Sequence, residues 1–102
     1  MRSHFQAAGA AQAEWINLVD EHGLLMEDRA QSVVLAKFLE RGVDEVLIEA
    51  SRNEGDQLPV DKVLPWLRGH VCHSNIRIAN REFTVFAEVA INGVGRSWHA
   101  PQ

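Results

Sequence analysis

The sequence lacks several features that define whole classes of proteins. Among its 102 residues it has a single cysteine, Cys72, so no intramolecular disulfide can form and a reducing compartment is the natural one. No apolar run approaches the length of a membrane span, and the N-terminal stretch lacks the apolar centre of a signal peptide. We therefore expect a cytoplasmic protein with no membrane partner.

Clustered positive charge is also missing. The 10 Lys and Arg residues are scattered, and with 14 Asp and Glu residues they give a formal net charge of −4. Such a surface repels a phosphate backbone, so we predict no nucleic-acid partner. Hydrophobic residues at 46% and charged residues at 24% are typical of a folded globular chain. We predict one α+β domain over residues 1–102, with a flexible lead-in over residues 1–9.

The short motifs of common enzyme and metal sites are absent as well. The chain contains no C-x-x-C, no H-E-x-x-H and no G-x-S-x-G. A zinc site at Cys72 and His70 would need further ligands from other segments, and a lone cysteine is usually a small core residue. We predict neither a metal site nor a cofactor.

Regular hydrophobic patterns are what the chain does contain. Residues 10–22 place apolar side chains at helical spacing before Gly23, and residues 27–41 do the same before Gly42. Acidic residues begin the second segment and basic residues end it, which suits the helix dipole. Two neighbouring helices that each end on glycine predict an N-terminal helical hairpin.

The hydrophobic period then changes. Residues 45–51, EVLIEAS, form a compact run of branched apolar side chains that predicts a buried strand, and the polar residues 52–57 predict a loop. Residues 59–68 predict a short helix bent at Pro65, because proline lacks an amide donor. A crossover of that length suits a parallel partner for the strand.

The last third of the chain predicts a three-stranded antiparallel meander over residues 74–100. Two-residue turns at residues 80–81 and 92–93 set its registers, and the second, Asn-Gly, is the strongest hairpin signal in the sequence. These registers put the apolar side chains, Val85 and Trp98 included, on one face. The sequence thus predicts a two-layer fold: the helical hairpin and the bent helix pack on a four-stranded mixed sheet.

The other face of the predicted meander carries a candidate ligand or partner surface. It combines an aromatic ring, a carboxylate, a hydroxyl and an imidazole, from Phe86, Glu88, Ser97 and His99. On the core side, Arg96 and Trp98 mark the seam between sheet and helices, where Arg96 could anchor an anion. Phe86 could also meet its own copy across a two-fold axis, so we predict a homodimer.

These features favour a small non-enzymatic binding module over an enzyme. Its expected partners are a second copy, a small molecule or another protein. The alternative is a small enzyme or ligand-binding protein with a pocket between sheet and helices. Its candidate catalytic groups are Glu49, a carboxylate inside a buried strand, and the neighbours His70 and Cys72. A triad of Ser97, His99 and Glu88 is disfavoured, because the serine and the histidine stand two residues apart on one strand.

Overall fold

The computed structural model describes residues 13–50 and 55–100, in which six strands and two helices form. The strands are β1 (Ile16–Asn17), β2 (Glu45–Ala50), β3 (Asp56–Pro59), β4 (Ile76–Ala79), β5 (Val85–Val89) and β6 (Val94–His99). Helix α1 consists of Glu27–Ala30 and Ala36–Glu40, joined by the π-helical turn Gln31–Leu35. Helix α2 is Val63–His70, which follows the 3₁₀ turn Val60–Lys62. The predicted α+β class is confirmed.

All six strands belong to one antiparallel, open sheet in the order β1-β6-β5-β4-β2-β3. The predicted four-stranded mixed sheet is therefore wrong in strand number and in direction. Strand β3 reverses the chain beside β2 before α2 begins, so β2 pairs antiparallel with β4 and no parallel crossover exists. Strand β3 begins inside the stretch predicted as a loop. Its first residues are polar, which suits an edge strand that faces solvent but also resembles a loop.

The predicted N-terminal helical hairpin is wrong. Among residues 13–22 the chain forms β1, which pairs with the Val94–Gly95 end of β6, and then a turn; residues 10–12 lie outside the described residues, as does the lead-in 1–9. Leu18 and Val19 are buried in the core. A stretch this short satisfies a helical period and a strand equally well, and the distant pairing with β6 decides between them.

Both helices pack on the same face of the sheet. The shared core is formed by apolar side chains of α1, α2 and the central strands: Val34, Leu35, Phe38, Val63, Leu67, Val46, Ile48, Ile76, Ile78, Val85, Ala87 and Val89. Pro65 lies in the first turn of α2, where a missing amide breaks no helical hydrogen bond. The bend predicted at Pro65 is therefore wrong, because the change from the 3₁₀ turn to α2 lies between Lys62 and Val63.

The meander of β4, β5 and β6 is confirmed, but its two turns are longer than predicted. The amide of Phe83 donates to the carbonyl of Asn80 at 3.1 Å, and the amide of Gly93 donates to the carbonyl of Ala90 at 2.9 Å. Phe83 and Gly93 have φ values of 56° and 88°. Asn80 bonds to Val85 and Ala90 bonds to Val94, so the first loop has four residues, 81–84, and the second has three, 91–93. In each loop the third residue is left-handed, and neither loop is the predicted two-residue turn.

The longer second turn shifts the register of β6 by one residue, so each β6 side chain lies on the face opposite to the predicted one. Phe86 pairs with Trp98 and Ala87 with Ser97, whereas the predicted turn placed Ala87 opposite Trp98. Trp98 therefore lies on the face of the sheet opposite the two helices, which we call the open face, while Val85 lies in the core under the helices. The predicted apolar face that contained both residues is wrong, because the side chains of a strand alternate between faces.

The first hairpin shows the opposite outcome of a register error. Ile76 pairs with Val89 instead of the predicted Val85, a shift of four residues. An even shift preserves the face on which each side chain lies. The apolar faces of β4 and β5 are therefore those predicted, although their pairing is not.

Candidate functional site

The open face of the sheet carries a row of alternating charges. Glu49, Arg77, Glu88 and Arg96 are cross-strand neighbours on β2, β4, β5 and β6. Arg96 donates from Nε and Nη2 to Oε1 of Glu88, at 3.0 and 2.8 Å. Arg77 lies 3.9 Å from Oε2 of Glu88 and 3.8 Å from Oε1 of Glu49. Two carboxylates thus balance two guanidinium groups, and the row has no excess charge to offer a ligand.

An aromatic cluster lies beside the charge row. The rings of Phe86 and Trp98 stack with centroids 5.6 Å apart, and Phe83 lies 6.2 Å from Phe86. Phe86 is 1% exposed and Trp98 is 5% exposed. Phe86 therefore presents almost no surface to a second copy, and the basis on which the homodimer was predicted is lost.

The turned β6 also divides the surface predicted for Phe86, Glu88, Ser97 and His99: Phe86 and Glu88 lie on the open face, whereas Ser97 and His99 lie on the side of the helices. Arg96 and Trp98, predicted on the core side, lie on the open face. The patch that the sequence predicted on a single face does not exist.

A cleft of about 650 Å³ nevertheless brings four of these residues together. We call it the edge cleft; it lies along residues 96–99 of β6, with Val33 and Lys37 of α1 on one side and Glu14 and Ile16 on the other. Because it follows the edge of the sheet, side chains from both faces of β6 reach it. Its volume is within the range of sites that hold small molecules.

Ser97 joins the sheet to the π-helical turn of α1 at this cleft. Its hydroxyl donates to the backbone carbonyl of Val33, and Nζ of Lys37 donates to Oγ of Ser97 at 3.3 Å. Turns of π-helix are rare and are frequently found at functional sites. The hydroxyl proton is therefore engaged by a carbonyl, and the ammonium group points at the hydroxyl oxygen.

Lys37 is the charge in the edge cleft that lacks a counterion among the described residues. Arg96 is paired with Glu88, but no ion pair between described residues includes Lys37, which is half-buried. Glu14, the acidic residue of the lining, is exposed and does not reach Lys37. A partly desolvated cation gains most from a direct anionic partner.

Two polar atoms of residues in the cleft lining also lack a hydrogen-bond partner among the described residues. Nε1 of Trp98 and Nδ1 of His99 are buried and make no hydrogen bond in the described part of the chain. Arg96 lies over two indole rings: its guanidinium carbon is 5.4 Å from the ring centroid of Trp98 and 4.1 Å from that of Trp15. Both polar atoms have almost no exposed surface of their own, so they belong to the packing around the cleft and not to its accessible surface.

The residues that the sequence offered for catalysis are not assembled. Glu49 lies on the open face beside Arg77, whereas His70 ends α2 on the other side of the sheet. The His70 ring stacks on Trp66 at 3.7 Å and its Nδ1 lies 2.8 Å from the Trp66 carbonyl oxygen. Cys72 packs against the core near the loop that ends at Gly93. His70 and Cys72 therefore have structural contacts, and Glu49 is separated from both.

Within residues 13–50 and 55–100, no group of three or more His, Cys, Asp or Glu side chains could hold a metal ion. The described helices include none that is both long enough and apolar enough to cross a membrane.

Sequence reasoning missed Lys37 as a site residue. The sequence marks it only as a basic residue near a helix end, and 60 positions separate it from Ser97. The π-helical turn that presents the Val33 carbonyl has no motif of its own. The packing of α1 against β6 is a tertiary contact, and no local sequence pattern predicts it.

Comparison with known proteins adds no relative: no family model, no curated protein and no solved structure matches this chain.

Proposed function

We propose that the protein is a non-enzymatic binding module whose edge cleft takes a ligand bearing a carboxylate. The observation that carries the proposal is Lys37: a half-buried ammonium group that donates to Ser97 and has no carboxylate within ion-pair distance among the described residues. A carboxylate that enters the cleft would accept a hydrogen bond from this ammonium group, which has three N–H donors and uses one of them on Ser97. Charge-assisted hydrogen bonds of that kind are about twice as strong as neutral ones.

The hydrogen-bond directions favour binding over catalysis. A nucleophilic serine needs a base that accepts its proton. The Ser97 proton goes to the carbonyl of Val33, which cannot take it away, and Lys37 donates to the oxygen instead of accepting from it. The cleft therefore supplies donors and a positive charge, which suit recognition of an anion.

The experiment is an NMR titration with succinate, and with succinamide as the neutral control of the same shape. We expect succinate to shift the amide signals of Lys37, Ser97 and His99 and succinamide to leave them unchanged. Lys37→Gln should weaken succinate binding about tenfold, since it removes the charge and keeps a polar side chain of similar length.

Lys62→Gln is the matched control. Lys62 lies in the exposed 3₁₀ turn that follows β3, at the other end of the sheet order. It removes the same charge from the protein, so any general electrostatic effect appears in both variants. Equal weakening in the two variants, or no response to succinate, would contradict the proposal.

A further inference from the structure

We infer that the β6 edge of this cleft is a strand-addition site for an extended, acidic peptide segment of another protein. The inference rests on the proposed function, because the acidic side chain of the segment would be the carboxylate that Lys37 binds. It adds the class of ligand and the way in which the backbone of that ligand is held.

The hydrogen bonds around β6 fix which of its backbone groups point outward. The amide of Ala90 donates to the carbonyl of Val94 at 2.7 Å, and the amide of Ala100 donates to the carbonyl of Thr84 at 2.9 Å. In an antiparallel ladder, alternate residues bond to the same neighbour. Arg96 and Trp98 therefore bond toward β5.

The intervening residues, Ser97 and His99, present their amides and carbonyls to the opposite side. The contact on that side agrees with this assignment, since the amide of Leu18 donates to the carbonyl of Gly93 at 2.8 Å. Strand β1 pairs with this side of β6 only at Val94 and Gly95. The residues just before β1, Ala13 and Glu14, line the cleft beside Ser97 but make no backbone hydrogen bond to it. Among the described residues no strand continues beside Ser97 and His99.

An edge left in this state is a template for another strand. Proteins normally protect such edges with proline, bulges or inward charges, and the segment from Arg96 to His99 contains no proline and pairs regularly with β5. A peptide laid along Ser97 and His99 would bond to their backbone groups, as in other strand-addition complexes.

The chemistry of the edge cleft selects the peptide. Side chains of an added strand alternate between the two faces, so one set faces the side of Ser97 and Lys37. An Asp or Glu at that position meets the Lys37 ammonium group. A second copy of this chain fits less well, because edge-to-edge pairing would bring two copies of Lys37 to one seam and adds only Glu14 from the cleft lining as a counterion.

The test uses the full chain and the peptide acetyl-Thr-Val-Glu-Val-Thr-amide, with a Gln-for-Glu peptide as its neutral control. We expect the acidic peptide to protect the amides of Ser97 and His99 from hydrogen exchange, while those of Arg96 and Trp98 are protected before it is added. The Gln peptide should bind about tenfold more weakly.

Two variants separate the backbone contribution from the side chain. His99→Pro removes a backbone amide that points away from β5 and makes no hydrogen bond to it. Proline is tolerated at such edge positions. His99→Val removes the imidazole and keeps the amide. We expect peptide binding to fall about tenfold in the proline variant relative to the valine variant. Should the proline variant not fold, a peptide N-methylated at the glutamate and at both valines tests the same hydrogen bonds from the other partner, in whichever direction the peptide runs.

Each contrary result has a distinct meaning. Succinate binding without amide protection by the peptide would overturn strand addition and leave the proposed function standing. Failure of both probes would overturn both. Equal binding of the Glu and Gln peptides would overturn the acidic specificity. Amides of Ser97 and His99 already protected in the free protein, with a dimeric mass by light scattering, would show that a second copy occupies the edge and would overturn the inference.

Discussion

Phe83 and Gly93 occupy the same position in two successive hairpin loops, and both have positive φ, 56° and 88°. Glycine adopts this conformation at no steric cost, whereas the Cβ of phenylalanine crowds the following carbonyl. The neighbourhood compensates at Phe83. Its ring packs beside Phe86, and Oδ1 of Asn80 accepts a hydrogen bond of 2.8 Å from the amide of Thr84. The third residue of each loop is thus left-handed, and different contacts stabilise that conformation in the two loops.

The variants Phe83→Gly and Phe83→Ala test the strain in the first loop. Both remove the ring, so the difference between them isolates the backbone. We expect the glycine variant to be more stable by about 1 kcal/mol, because the left-handed conformation costs a non-glycine residue about 1–2 kcal/mol. Urea unfolding of both variants measures the difference. An alanine variant of equal or greater stability, the usual order at negative φ, would contradict the assignment.

Gly93→Ala should destabilise the protein by more than about 2 kcal/mol. A Cβ at this position would lie 2.6 Å from Cγ2 of Val19, and the backbone there has a φ of +88°. Gly69→Ala is the control, since a Cβ at that helical position meets nothing within 4 Å. We expect the control to gain up to about 1 kcal/mol from helix propensity. Thermal unfolding distinguishes the two; similar effects would show that the contact with Val19 does not form.

Glu88→Gln should cost about 1–3 kcal/mol, because Glu88 forms ion pairs with both Arg77 and Arg96 and its side chain is only 19% exposed. The control is Glu27→Gln, which breaks the 2.7 Å pair with Arg68, both partners about half exposed. An exposed pair contributes less than about 1 kcal/mol and is screened by salt. Urea unfolding at low and high salt measures both, and a control loss equal to that of Glu88→Gln would refute the distinction.

The acid limb of the stability profile should depend on Asp20. Hydrogen bonds from the amides of Leu24 and His22, at 3.0 and 2.8 Å, lower the pKa of the Asp20 carboxyl from its ordinary value of 3.8. A folded-state pKa below the unfolded one gives stability that is present above pH 3.8 and is lost as the pH falls through the lowered value.

Asp20→Asn should therefore reduce the loss of stability between about pH 5 and about pH 2. The measurement is urea unfolding at several pH values in this range. Glu40→Gln, which removes an exposed carboxylate at the end of α1, serves as the control. If both variants follow the wild-type slope, the loop hydrogen bonds to Asp20 do not persist in solution.

Local patterns were enough to predict α1, β2 and the three strands of the meander. Each depends on a period that its own residues complete: a helical stripe that ends at Gly42, a branched apolar run at residues 45–50, and alternation along β4 and β5. Strand β1 is different, because two residues cannot establish a period. It exists because β6 lies beside it, 78 residues further along the chain (Ile16 pairs with Gly95 and Asn17 with Val94).

The turn at Asn92-Gly93 shows how a correct local signal can still misplace a site. The signal located the reversal, but a two-residue and a three-residue loop fit the same dipeptide. The choice between them depends on β1, since Gly93 accepts from Leu18 and packs against Val19. A difference of one residue moved Ser97 to the helix side, where it meets Lys37, and buried Trp98 on the open face.

By itself, the sequence determined the α+β class and the positions of most helices and strands; that no metal or nucleic acid binds stays a prediction from its composition. Those properties follow from periodicity, charge and residue types, which are local or additive. Only the tertiary structure decided which face of β6 meets α1, and with it the edge cleft. That choice depends on contacts between residues far apart in the chain, and a period of two makes the smallest register change reverse its result.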